Sequence, residues 1–191
     1  RSSAASDVYK RQSMPCAIIG YKDNDLKSNK VKKDIAIDIL GNILFGKSSE
    51  TFEKLYESGK IISVPSINYE FSKTYSHVLI QIQTDYIDYV VKEIEDRIEM
   101  VKKEGINEDD FERAKKSVYG DFVKEYNEVS NIATVLVSDY FKNINSLEYF
   151  EEFASVSKDY VEKVLKETFC KDKEVLSIIC LLYTSDAADD R

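Results

Sequence analysis

Tryptophan is absent, histidine occurs once, proline twice and cysteine three times, and glycine only six times, in 191 residues. Each scarcity removes a class of protein. One imidazole, His77, cannot build a histidine-based zinc site, which draws on three or four donors, and the cysteines are not placed to help. Three scattered cysteines rule out a disulfide framework or zinc knuckle. No run reaches the length of a membrane helix, roughly 20 apolar residues, so no membrane partner is expected. Scarce Pro and Gly, beside 32% charged residues, point to a helix-rich globular domain. The surplus charge is negative, −8. It repels phosphate backbones and argues against nucleic acid as a partner.

The two ends differ from everything between them. With suitable synonymous codons, the closing stretch Cys-Leu-Leu-Tyr-Thr-Ser-Asp-Ala-Ala-Asp has a reverse complement that translates as residues 2 to 11. One DNA element in inverted orientation therefore flanks the coding sequence. Residues 1–12 and 180–191 read as translated sequencing adapter, expected to be disordered and set apart from fold reasoning. Residues 13–179 read as the natural part, a fragment holding one domain. Its remaining thiols, Cys16 and Cys170, lie beside apolar runs. Buried free thiols in a reducing, cytoplasmic compartment are expected.

Periodicity supplies the elements. Pro15–Tyr21 reads as a buried strand. Ile35, Ile39, Ile43 and Leu44 recur at helical spacing up to Gly46. Ser48 or Ser49 caps a short helix with Phe52 and Leu55 inside, ended by Gly59. The period then switches to alternation. Ile67, Tyr69 and Phe71 pair with Val78, Ile80 and Ile82 in a hairpin turning at Ser72-Lys73-Thr74. Ile87, Val90, Val91, Ile94, Ile98 and Val101 form one helical stripe, capped by Thr84 and closed by Gly105. A long helix follows, with Asn107 and Asp110 as a capping-box-like pair. Its stripe is Phe111, Ala114, Val118, Phe122, Val129, Ala133, Leu136 and Tyr140, broken near 127–131. Ser157 caps a last helix, with Val156 stapled to Val161, and Glu174–Ile179 closes as a strand. The order predicts an α+β domain: one mostly antiparallel sheet covered by helices.

No catalytic signature accompanies this pattern. There is no Gly-x-Ser-x-Gly elbow. Gly46-Lys47-Ser48 lacks the preceding glycine of a phosphate loop. The acidic run Glu108-Asp109-Asp110 lacks the glycine and spacing of a calcium loop, and reads as a charged first helical turn. His77 reads as an ordinary strand residue. Composition and spacing therefore give an acidic α+β domain with no catalytic residues and no metal ligands of its own.

Two stretches add a resemblance: "ILFGKSSETFEKLYESGKI" and "EGINEDDFERAKKSVYGDF". With the hairpin and the segment from Ser138 to Phe169, they make nearly all of 13–179 similar to the C-terminal domain of the insulinase, pitrilysin and mitochondrial-processing-peptidase family of zinc metallopeptidases. The nearest group is the bacterial zinc proteases of Gram-positive organisms. The resemblance implies a chain of two similar halves closing as a clamshell around a peptide. Zinc would sit in the missing N-terminal half, on an inverted His-x-x-Glu-His motif absent from this sequence. This fragment would be the substrate-enclosing half and inactive alone. Many relatives carry, after the first helices, an Arg following a Leu, and then a Tyr beyond a Gly, which touch substrate. Leu55 and Gly59 match here; Tyr56 stands for the Arg, and Ile61 or Ile62 for the Tyr. Tyr56, Gly59 and Ile62 are thus the candidate substrate contacts. The missing pair equally fits a non-catalytic scaffold subunit, as a homo- or heterodimer with an active sister chain.

Overall fold

A helix buried on nearly every side, α1 (Lys30–Phe45), organises the domain: Ile35, Ala36, Ile37, Ile39, Leu40, Leu44 and Phe45 are all at most 1% exposed. Each of these Ile, Leu and Phe side chains contributes roughly 1.5–3 kcal/mol by leaving water. Asn29 caps the start, accepting from the Lys32 N–H at 3.0 Å. The computed structural model describes residues 14–25 and 27–179. The stretches read as adapter, 1–12 and 180–191, lie outside them.

One face of α1 lies on a four-stranded sheet of β1 (Cys16–Lys22), β2 (Ser66–Phe71), β3 (Ser76–Gln83) and β4 (Glu174–Ile179), in the order β2-β3-β1-β4. All neighbouring pairs are antiparallel. Alternation decides the faces. Ala17, Ile19 and Tyr21 of β1 and Val78, Ile80 and Ile82 of β3 point under the helices and are buried. Ile18 and Gly20 face the other way with Leu79 and Gln81, and among the described residues no helix covers this second face. The hairpin turns at Ser72–Tyr75, closed by Ser72 N–H donating to the Tyr75 carbonyl at 2.8 Å.

The remaining helices are α2 (Glu50–Glu57), α3 (Ile87–Glu104), α4 (Glu108–Glu125), α5 (Val129–Lys142), α6 (Glu148–Ser155) and α7 (Lys158–Thr168). Helices α4, α6 and α7 pack on α1, and α3 lies against β1 and α2. The α+β expectation holds, with Ser49 and Ser157 as caps and Val156 and Val161 both buried.

Four details differ. Thr84 does not cap α3. Its hydroxyl accepts from the Tyr86 N–H and donates to the Lys60 carbonyl, so it ties the β3–α3 turn to the loop after α2. Asp110 does not close a capping box: Asn107 accepts from Asp109 N–H, while Asp110 pairs forward with Arg113 at 2.7 Å. Cys16 and Cys170 are free but half-buried rather than buried. The second half of the long stripe faces solvent. Val129, Leu136 and Tyr140 are 83%, 50% and 79% exposed, because α5 turns its Ile132, Val135 and Asp139 side inward instead.

Candidate functional site

The last turn of α2 and the loop after it hold the residues singled out by resemblance. Leu55 is buried, and its carbonyl accepts from both Lys60 and Ile61 N–H, at 2.9 and 3.3 Å. That curl requires the left-handed backbone of Gly59, at φ +66°. Ile61 plugs into the core, which leaves Tyr56 and Ile62 pointing out, 55% and 63% exposed. Tyr56 stacks on Phe52 at 5.4 Å between ring centroids. The Lys60 ammonium sits 3.5 Å from the Tyr86 ring centroid and 5.8 Å from that of Tyr89. The end of α2 and its loop thus form a platform offering an aromatic, an aliphatic and a cationic group. It can make contacts; it holds no nucleophile–base pair.

A second feature was not singled out in the sequence: a groove of about 630 Å³ between α1, the β2 edge, α4, α5 and α6. Asp34, Asp38, Glu70, Asp121, Glu125 and Asp139 line it, against one lysine, Lys142. Asp34 and Asp38 lie one turn apart on α1 and face the same space. Burial raises the Asp34 carboxyl to about 6, although it accepts a 2.6 Å hydrogen bond from the Tyr149 hydroxyl. Asp38 keeps solvent contact along the groove, yet is pushed upward by its low-dielectric surroundings and then by the Asp34 charge. The signal is present in the sequence as two carboxylates four residues apart in the stretch 34–45, where Asn42 is the only other polar side chain; the apolar periodicity does not report on them.

The most enclosed charges serve the fold instead. Lys33 and Asp23 form a 2.9 Å ion pair, with side chains 4% exposed each. Asp23 also accepts from the hydroxyls of Tyr69 and Ser76, at 2.7 and 3.0 Å. Burial pushes its carboxyl up, but the bonds from Lys33 and Tyr69 outweigh that and hold it at about 2. This network fastens the end of β1 to α1 and the hairpin.

The donor set does not suit zinc. His77 stands on the uncovered sheet face, stacked on Tyr75 at 5.8 Å. Among the described residues no three His, Cys, Asp or Glu side chains converge on a metal position. No described helix is long and apolar enough to cross a membrane.

Comparison with known proteins places this architecture. Residues 6–118 match the family described as Peptidase M16 inactive domain. The uncharacterized zinc protease YmfH of Bacillus subtilis is 25% identical over 162 residues, covering 83% of this chain and 38% of YmfH. A crystal structure of a protein assigned as an M16-like peptidase, from Alicyclobacillus acidocaldarius, superposes with a TM-score of 0.78 at 21% identity, covering 86% of this chain and 40% of that one. The inactive peptidase domain of a protein assigned as a zinc protease, from Bordetella parapertussis, gives 0.69 at 12% identity, covering 89% and 94%. The chain thus spans about two fifths of the curated relative it matches.

Proposed function

Because the chain belongs to the Peptidase M16 inactive-domain family, we propose that residues 13–179 form the C-terminal, substrate-enclosing half of a zinc-dependent endopeptidase acting on peptides. The family match carries this reading, and the contact platform and acidic groove support it. Zinc and the water-activating glutamate belong, on this reading, to the N-terminal half of the longer chain. The half described here then encloses the peptide and contacts it through Tyr56, Gly59 and Ile62. The two terminal stretches are adapter-derived, and the protein works in the bacterial cytoplasm.

Tyr56 and Ile62, in place of an Arg and a Tyr, favour a second reading: a non-catalytic subunit paired with an active sister chain. The longer frame from the source gene separates the two. Under the first reading, it carries His-x-x-Glu-His and cleaves an unstructured peptide in a zinc-dependent, chelator-sensitive way. Cleavage appearing only after a sister chain is added supports the second. A frame with an intact motif that neither binds zinc nor cleaves, with or without a sister chain, would refute both. The 191-residue chain alone is expected to cleave nothing.

A further inference from the structure

Helix α5 is built to be covered. Val129, Ala133, Leu136 and Tyr140 fall at i, i+4, i+7 and i+11, the spacing of a helix face turned toward a partner. In this domain the stripe faces water, and its flanks Val137 and Phe141 are 56% and 82% exposed. Residues 129–138 contain no Asp, Glu, Lys or Arg, in a chain that is 32% charged. Absence of charge together with exposed aromatic and aliphatic side chains marks the centre of an interface rather than a solvated surface. The opposite side of α5 lines the acidic groove through Thr134, Val135, Ser138 and Asp139. The helix therefore stands off its own domain with its apolar face outward. It is held mainly at its C-terminal end, where Ser146 donates to Asp139 at 2.6 Å and the Lys142 ammonium lies 4.9 Å from the Phe71 ring centroid.

We propose that α5 is a docking arm, and that its outward stripe is covered by another domain of the same longer polypeptide. The identification of the occupant rests on the reading given above, that this domain is part of a larger chain. Relatives that cover 83% and 86% of this chain are themselves spanned to only 38% and 40%. More than half of such a polypeptide therefore lies outside these residues. A tethered domain meets α5 at a high effective concentration. A second copy of this chain has no tether and carries the same −8 charge, which opposes self-association.

Hydroxyl-radical footprinting read by mass spectrometry tests the proposal, on the 191-residue chain at two concentrations and on the longer chain from the source gene. Tyr140 and Phe141 should be reactive in the short chain at both concentrations and lose most of that reactivity in the longer one. Tyr75, exposed in the hairpin turn, should react in both. Tyr140→Asp should lower the Tm of the longer chain and leave that of the short chain nearly unchanged, since Tyr140 is 79% exposed there and its ring meets only the equally exposed Phe141, 5.8 Å away between centroids. Unchanged reactivity of Tyr140 and Phe141 in the longer chain overturns the proposal. Protection in the short chain that grows with concentration also overturns it, assigning the face to a second copy. A longer chain that protects Tyr140 but shows no zinc-dependent cleavage refutes the peptidase reading and leaves the docking arm standing.

Discussion

Asp23 and Asp38 are both aspartates of the same domain, and their surroundings drive them in opposite directions. Asp23 is held at about 2 against an ordinary 3.8, so its contribution is complete above pH ~4 and disappears as pH falls from 3.8 through 2. Thermal melts of the protein and of Asp23→Asn should therefore differ at neutral pH and converge near pH 2. Removing only its partner is worse than removing both charges. Lys33→Met leaves a buried carboxylate underpaired and should cost about 3 kcal/mol in chemical denaturation, more than the double variant with Asp23→Asn. Asp38 behaves inversely. Its folded value is raised, so the native state binds a proton more tightly than the unfolded chain, and stability falls as pH rises above 3.8. Asp38→Asn should raise the Tm at pH 8, and the gain should vanish below about pH 3.5. An unchanged Tm at pH 8 would show that Asp38 is not strained by its neighbours. The Asp23 pair was not legible in sequence: Asp23 and Lys33 are ten residues apart and meet only because the chain between β1 and α1 folds back.

At the scale of elements, legibility followed periodicity. Helices α1, α3 and α7 and the hairpin were recovered because their apolar residues repeat at 3.6 or 2.0 and find a core within the domain. Helix α5 has an equally clear repeat, and its orientation was missed. A stripe shows that a face wants cover and is silent on whether the cover lies in the same domain. Helix α6 was not separated from its surroundings: its eight residues, EYFEEFAS, are too few for a stripe to stand out. Its single buried side chain, Phe153, depends on Phe122 of α4, 5.3 Å away between centroids. Packing of α1 on the hairpin gives a direct prediction. A Cβ on Gly41 would lie 2.2 Å from Ile67 Cγ2. Gly41→Ala should therefore destabilise by about 1–3 kcal/mol, despite alanine's higher helix propensity. A denaturation midpoint equal to that of the parent would show that β2 yields to the extra carbon.

At the scale of the whole molecule, the groove draws on residues from Asp34 to Phe153, and no local pattern announces such an assembly. The resemblance reached the fold and the kind of protein; it could not show which surfaces stay open. The donor set predicts that a chelator leaves the melting temperature of this chain unchanged, since no described residues assemble a metal site that folding depends on. A Tm that drops in EDTA would reveal a metal held outside the described residues. One further consequence concerns synthesis. Strand β1 stands between β3 and β4, with Cys16 opposite Ile179 and Tyr21 donating to Glu174 at 2.8 Å across 153 positions. A ribosome delivers β1 first and β4 last. Until Glu174–Ile179 emerges, one edge of β1 has no partner, and closing so long a loop is slow. The nascent domain thus carries an open strand edge through most of its translation, a span in which chaperones or a neighbouring domain must guard it against pairing with other chains.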